Sequence, residues 1–360
     1  GCGDAEEIRL HYFSAKEFVK DWRSGGIRHV DNTIGDKVEI MICDIKSYLP
    51  AMLYMRSFNA LDTLITYWDE PTITMDYEDH EFHDIIQKIP TEFNNYHELF
   101  LGGGSVLFAV LSLQRQGKIT IKNKLYAYDI NESLINVYKH VQSNKDELFE
   151  FITFYINEYD SITGVISNRK PTSIEDAKTS KESYYYWIRN KFNNIDKQSI
   201  ESSALFMFIN KTCFRGMYRE GPNGFNVPYG HYKKTPTIIT EHDLTFIRDL
   251  IKDVEFIQSD FSSSFQNLNT GDFVYLDPPY APENDKSFVG YVADGFNLDM
   301  HTKLFDEITK MNDIHFVMSN AKVDLVTDYF KDYNCVDITA RRAINSKNPG
   351  ATTTEVIIYS

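Results

Sequence analysis

Several apolar runs in this chain end in a carboxylate, and the one that ends at Asp277 has the residue types for chemistry on a substrate. Phe273-Val274-Tyr275-Leu276 is a short run of the kind that forms a buried strand, and Gly271-Asp272 reads as the turn that starts it. Pro278 and Pro279 lack the N–H that a ladder needs, so the strand stops at Asp277. Ligands of open α/β sheets sit beyond the carboxyl ends of strands, which places Asp277 and Tyr280 beside a substrate. Two fixed φ angles stiffen the backbone, a property suited to holding an amino nitrogen in one orientation. The tetrapeptide alone leaves open a plainer arrangement, a proline-stopped strand with a solvated Asp and a core Tyr.

The elements that would position this turn begin at Tyr96. Tyr96 to Leu101 reads as a strand, Gly102-Gly103-Gly104-Ser105 as a tight turn and Val106 to Gln114 as an apolar helix. Glycines let a ligand lie against the backbone, with helix N–H groups facing it. Leu107 stands where a dinucleotide fingerprint needs its last glycine. Leu125 to Asp129 is the next strand, and its acid follows Gly103 by 26 positions. That is the place of a ribose-binding carboxylate, although Asp129 is also placed to cap a helix from Glu132 to Val141. Val254 to Phe261 forms a further strand with an acid, Asp260, at its end.

Residues 142 to 250 interrupt this strand–helix rhythm with helical segments at Lys145–Tyr159, from Tyr184, and at Glu201–Asn210. Then come two aromatic-rich runs around Pro222-Asn223-Gly224, a hairpin signal in which Asn-Gly supplies positive φ. Phe225 and Tyr229 are expected in the core. The whole chain of 360 residues has a formal net charge of −15, unfavourable for indiscriminate binding to a polyanion. The charge is unevenly spread. Residues 1 to 100 hold 19 Asp and Glu against 9 Lys and Arg, whereas 181 to 235 hold 9 Lys and Arg against 4 Asp and Glu, Lys211, Arg215 and Arg219 among the bases. A basic hairpin with Tyr and Phe can follow phosphates and stack on bases. Arg341 and Arg342, before a loop, can pair with phosphates or with surface acids.

The four cysteines (Cys2, Cys43, Cys213, Cys335) show neither metal-ligand nor disulfide spacing. No apolar run reaches membrane-span length and no signal-peptide pattern opens the sequence, so a soluble protein of a reducing compartment is expected. In the acidic front, Val38–Cys43 reads as a strand and Tyr48–Tyr67 as a broken helical pattern. Phe82, Ile85, Ile86 and Ile89 follow helical spacing. Trp68-Asp69-Glu70-Pro71 distantly resembles an acidic ATPase motif, but no phosphate loop precedes it, and it is read as a structural loop.

Asp277-Pro278-Pro279-Tyr280 resembles the catalytic motif of amino-group methyltransferases that use S-adenosyl-L-methionine. Asp in first place resembles the adenine-N6 enzymes, where cytosine-N4 enzymes have Ser and glutamine enzymes have Asn. Over residues 91 to 360 the chain resembles the Dam family (D12 class, alpha group) of DNA adenine-N6 methyltransferases. The resemblance implies cofactor contacts from Glu98, Phe100, Gly102, Gly103, Gly104 and Ser105, from Asp129-Ile130, from Asp260-Phe261 and from Asp277. It implies DNA contacts from the hairpin, where Asn210, Arg219, Asn226 and Pro228 match, and a hold on the target base from Phe288 and Tyr291 in a lid over 281 to 296.

The expected fold is thus α/β, a Rossmann-like class I methyltransferase sheet on 91–141 and 251–360. A mostly helical target-recognition domain with its β-hairpin is inserted over 142–250, and an acidic extension precedes the whole over 1–90. The expected activity is methylation of adenine N6 in a base flipped out of double-stranded DNA, in the cytoplasm, the nucleoid or a viral replication site. A cognate restriction endonuclease is a functional partner; no metal is implied. Two features depart from the family. The opening Trp-x-Gly-Gly-Lys segment is missing, and the hairpin tip is short and lacks the base-reading Arg of enzymes that act on GATC. A DNA-binding pseudo-methyltransferase and an N-methyltransferase for a non-DNA substrate are the alternatives. A dehydrogenase explains neither the Asp277–Tyr280 turn nor the glycine spacing.

Overall fold

The computed structural model describes residues 80–232, 234–281, 296–341 and 352–360. The readings for Val38–Cys43, Tyr48–Tyr67, Trp68–Pro71, Phe288, Tyr291 and Arg342 lie outside the described residues, as do the side chains of Phe82 and Arg341.

The apolar runs that end in acids lie side by side in one sheet. Its seven strands are β1 (Tyr96–Glu98), β2 (Leu125–Asp129), β3 (Val254–Gln258), β4 (Phe273–Leu276), β5 (His315–Ala321), β6 (Asn334–Arg341) and β7 (Thr352–Tyr359), in the spatial order 6-7-5-4-1-2-3. Strands β1 to β5 are parallel, and β7 is antiparallel to both β5 and β6. Parallel strands are covered on both faces, which is why β4 reads Phe-Val-Tyr-Leu and is buried at every position. From β1 the chain builds outward through β2 to β3, then returns to β1's other side with β4. The β1/β4 boundary is therefore the point where strand order reverses and where such sheets bind ligands.

That boundary is bolted at its lower side by polar groups. His97 and Asp272 are fully buried, with His97 Nε2 3.0 Å from Asp272 Oδ2. Burial, only partly offset by Asp272, holds His97 below its usual pKa, so the neutral ring donates from Nε2 and accepts from the Tyr128 hydroxyl at Nδ1, 3.2 Å away. Asp272 also accepts the Asn95 N–H, the Asn95 amide and the Asn269 N–H at 2.8–3.0 Å. A carboxylate so supplied tolerates burial; with a partner removed it would not.

Helices cover the sheet. α1 (His80–Gln87) packs on β6 and β7, and Ile85, Ile86 and Ile89 are buried as their spacing predicts. α2 (Ser105–Arg115) links β1 to β2, and α3 (Glu132–Ser143) follows β2. Next come α4 (Lys145–Ser161), α5 (Lys181–Asn194), α6 (Ile200–Thr212) and α7 (Glu241–Ile251); α8 (Leu298–Thr309) lies between β4 and β5. Ser180, Ser199 and Thr240 cap α5, α6 and α7 by accepting the N–H three residues on. α6 is buried nearly throughout, which its run Ala204–Ile209 requires of an interior helix. It packs on α3, α4 and α5, and one apolar cluster runs from these helices into the sheet. Residues 142–250 add no strand to that sheet among the described residues.

The hairpin forms with pairs Glu220–Phe225 and Gly221–Gly224. Its turn corrects the expected one: Gly224 has φ +86°, and Asn223 is not at positive φ. Pro222 in second place suits an ordinary turn with Gly at its end rather than a turn needing φ > 0 at Asn. Phe225 and Tyr229 are buried, as expected, and Tyr218 is buried with them. Asn193 holds Phe225 by both backbone groups at 2.9–3.0 Å, and Tyr159 and Tyr229 hydroxyls meet at 2.5 Å. Tyr185 and Arg189 both donate to the Val227 carbonyl. Aromatic packing thus anchors the hairpin, and the exposed rings of this region are Phe214 and Tyr232.

Candidate active site

Three acids meet where the sheet order reverses. Glu98, at the end of β1, is buried and accepts the Tyr96 hydroxyl at 2.6 Å. Burial raises its pKa to about 8; hydrogen bonds from Tyr96 and the Leu107 N–H work the other way, while the charges of Asp277 and Asp129 raise it further. Glu98 therefore carries a proton near pH 7, and a cation placed among the three acids would displace it.

Asp129, at the tip of β2, ties the glycine turn. One of its oxygens accepts the Gly102 N–H and the other the Asn131 N–H, each at 2.9 Å. The cap of α3 is Asn131, which accepts the Leu134 N–H, so Asp129 does not cap that helix. Burial under the turn raises the Asp129 pKa against the pull of these N–H groups. Ile130 stands beside it, half exposed at 51%.

The turn itself is built for a close approach. Gly102 and Gly104 have φ +47° and +69°, Gly104 opens α2, and no side chain caps that helix. Tyr138 supports the turn from beneath by donating to the Gly102 carbonyl at 3.0 Å, and a Cβ at Gly104 would lie 2.7 Å from the same hydroxyl. Gly103 is buried and Ser105 is half-buried as the first residue of α2. A bare glycine backbone, helix N–H groups without a side-chain cap, an acid below and an exposed Ile alongside fit a nucleoside-bearing cofactor.

Phe100 and Phe261 lie 5.9 Å apart, and Phe296 joins them at 6.2 and 5.7 Å. Asp260 is exposed and caps the short helix Phe261–Phe265, accepting the Ser262 and Ser263 N–H groups and the Ser263 hydroxyl. Its pKa is lowered: burial opposes this, but the bonds from Ser263 and Ser262 outweigh it.

Strand β4 ends at Leu276, and Asp277, Pro279 and Tyr280 are half-buried while Pro278 is buried. Two partners of this turn carry no local signal in the sequence. Tyr280 donates to Glu355 on β7 at 2.9 Å, and the Ala281 N–H donates to Asn320 on β5 at 3.0 Å. The only hint is an acid and an amide inside otherwise apolar runs.

The basic residues form a second cluster around the hairpin. Arg219 is exposed and donates from Nε to Asn226 at 2.6 Å. Arg215 is held at φ +56°, its guanidinium 5.2 Å from the centre of the exposed Phe214 ring. Lys211 is half-buried in the last turn of α6, and Pro228 is exposed, with its carbonyl accepting the Phe214 N–H.

Residues 80–344 match the family described as D12 class N6 adenine-specific DNA methyltransferase. The chain belongs to this family. It is 34% identical to the type II methyltransferase M.MjaIII of Methanocaldococcus jannaschii, over 70% of this chain and 82% of that protein. It is 29% identical to the type II methyltransferase M1.LlaDCHI of Lactococcus lactis subsp. cremoris, over 75% and 87%. A DNA adenine methylase of Haemophilus influenzae is 28% identical over 74% and 84%. The protein is an adenine-specific DNA methyltransferase with DNA as substrate, and its family implies a cofactor of the S-adenosylmethionine type. Among the described residues of this methyltransferase, no helix is long and apolar enough to cross a membrane.

Proposed function

We propose that this methyltransferase moves the methyl group of S-adenosyl-L-methionine to N6 of an adenine flipped out of duplex DNA, and that Asp277, Pro278, Pro279 and Tyr280 form its catalytic turn. The observation that carries this reading is the convergence of Asp277 with Glu98 and Asp129 at the β1/β4 boundary. The glycine turn, Asp129-Ile130 and the Phe100–Phe261 pair hold the cofactor, which supplies an electrophilic methyl on a sulfonium sulfur. The Asp277 carboxylate and the Pro278 carbonyl accept the two N6 hydrogens. That draws the nitrogen lone pair out of conjugation and aims it at the methyl; alignment does the rest. Paired adenine hides N6, so the base must leave the duplex, with the Tyr280 ring as its stacking face. Phe288 and Tyr291 extend that face in the same proposal.

The topology supports a division of roles in which residues 91–141 and 251–360 supply the sheet and the site, and 142–250, which add no strand to it among the described residues, recognise the target. DNA as substrate supports a location in the cytoplasm, the nucleoid or a viral replication site. The names of the type II relatives favour a cognate restriction endonuclease as functional partner. Sequencing-based mapping of methylated bases after expression in a methylation-free host tests the function. N6-methyladenine at one recurrent sequence is expected, and an unmethylated genome with folded protein overturns the reading.

Asp129→Ala weakens S-adenosylhomocysteine binding by roughly 1–3 kcal/mol, the scale for a charge-assisted hydrogen bond. Calorimetry reads this directly. Unchanged affinity would leave Asp129 only as a tie for the Gly102 and Asn131 N–H groups.

In the hairpin, Arg219 and Lys211 are proposed phosphate contacts, with Arg215, Asn226, Pro228, Arg341 and Arg342 beside them on the DNA. Removing one phosphate-pairing cation lowers the slope of log affinity against log salt by about 0.9 on every duplex. A base-reading residue instead costs about 1–3 kcal/mol on the cognate site and little elsewhere. Titrating Arg219→Ala and Lys211→Ala with cognate and scrambled duplexes at several salt concentrations separates the two roles. If neither change alters binding to any duplex, the hairpin is structural.

A further inference from the structure

Two hydrogen bonds reach from β5 and β7 into the chain that leaves the catalytic turn. Tyr280 Oη donates to Glu355 Oε2 at 2.9 Å. The Ala281 N–H donates to Asn320 Oδ1 at 3.0 Å, and the same oxygen accepts the Ala321 N–H at 2.8 Å. Both donors to Asn320 are backbone N–H groups, so the amide must present its oxygen. Glu355 is 5% exposed and Asn320 fully buried. A polar group is costly in such a place unless it has partners, and each of these two has a partner in the turn.

Strand register explains how the two anchors arrive together. Glu355 pairs with Ala321 and Val356 with Asn320. Because β7 runs against β5, the early residues of β7 lie beside the carboxyl end of β5, the end of the sheet at which Asp277 stands. The prolines fix φ at 278 and 279, but nothing in them sets the side-chain torsions of residue 280. A bond at the tip of the ring does.

Resting on the reading that the Tyr280 ring stacks on the flipped base, we propose that Glu355 is a positioning residue that fixes the direction in which that ring points by holding its hydroxyl, while Asn320 fixes the backbone that follows. Glu355 acts on the reaction only through Tyr280. The anchor is of the strong kind, a hydroxyl donating to a carboxylate.

Single-turnover methyl transfer, together with the fluorescence of a cognate duplex carrying 2-aminopurine at the target position, tests this. Glu355→Ala slows transfer by about 10- to 100-fold, the range for a misaimed reacting group. Binding of S-adenosylhomocysteine and of duplex stays within about threefold, because neither depends on the direction of the ring. The 2-aminopurine signal rises as stacking on Tyr280 is lost. Glu355→Gln keeps an acceptor oxygen and the fold, and restores most of the rate. In a Tyr280→Phe background, where the bond is already gone, Glu355→Ala has no further effect. Equal losses in both backgrounds, or wild-type transfer by Glu355→Ala, overturn the proposal. Wild-type transfer by Tyr280→Ala would instead show that Tyr280 is not at the base, which is a failure of the catalytic reading itself and not of the Glu355 bond.

Discussion

Asp277→Ala lowers single-turnover methyl transfer by about 10³-fold or more while leaving S-adenosylhomocysteine affinity within about tenfold. Removal of one preorganised partner of a reacting group already costs 10²- to 10³-fold in well-studied sites, and here the same carboxylate also orients the nitrogen. The cofactor arm is largely spared because Asp277 acts on the base and only borders the cofactor, whose other proposed contacts include the glycine turn and the tip of β2. A smaller adjustment follows at Glu98. The charge of Asp277 is one of the influences that raise the Glu98 pKa, so the variant should ionise Glu98 more readily. Asp277→Asn separates charge from shape: the amide keeps an acceptor oxygen for one N6 hydrogen but carries no charge, so the activity it retains reads the share owed to the hydrogen bond alone. Wild-type turnover in a well-folded Asp277→Ala protein would remove this turn from the chemistry.

Gly104→Ala should act on the cofactor side instead. An L-residue at φ +69° is strained by about 1–2 kcal/mol. In addition its Cβ would lie 2.7 Å from the Tyr138 hydroxyl, which is itself fixed by the bond to the Gly102 carbonyl. The turn must open or Tyr138 must retreat, and both loosen the N–H groups that face the ligand. A loss of cofactor-analogue affinity of more than about tenfold is expected, with a lower Tm, from these two penalties together. Tyr138→Phe removes the clashing oxygen, so the double variant should regain the part of the loss owed to contact and keep the part owed to φ. Calorimetry on the four proteins resolves the split; full affinity in Gly104→Ala would mean that the turn does not meet the ligand.

The strands on either side of the boundary were legible because parallel strands buried on both faces must be short apolar runs, and acids at their ends have few structural reasons to be there. Asp129 and Asp277 were found on that ground. Glu355 and Asn320 were not, since each contacts the turn through register between strands distant in sequence. The same holds for His97 and Asp272, which read as strand and turn residues until 175 positions of chain are folded back. The hairpin shows the limit from the other direction. Its aromatic content is plain and Phe225 and Tyr229 are expected in the core, but the partners that hold them there, Tyr159 on α4 and Asn193 on α5, are far away in sequence.

The placement of β7 between β5 and β6 has a consequence for synthesis of the chain. β6 and β7 pair with each other over eight register positions, and the pair joins the sheet only through β7. While a ribosome is still delivering residues 352–359, β5 is complete but its outer edge has no neighbour, an open template for another nascent chain. At about 5–20 residues per second this window is brief, and it lengthens wherever translation pauses beyond Ala321. The strand that closes the edge is also the one that brings Glu355 to Tyr280. A half-made chain thus exposes a sticky strand and an unaimed ring together, and both end when the same eight residues dock.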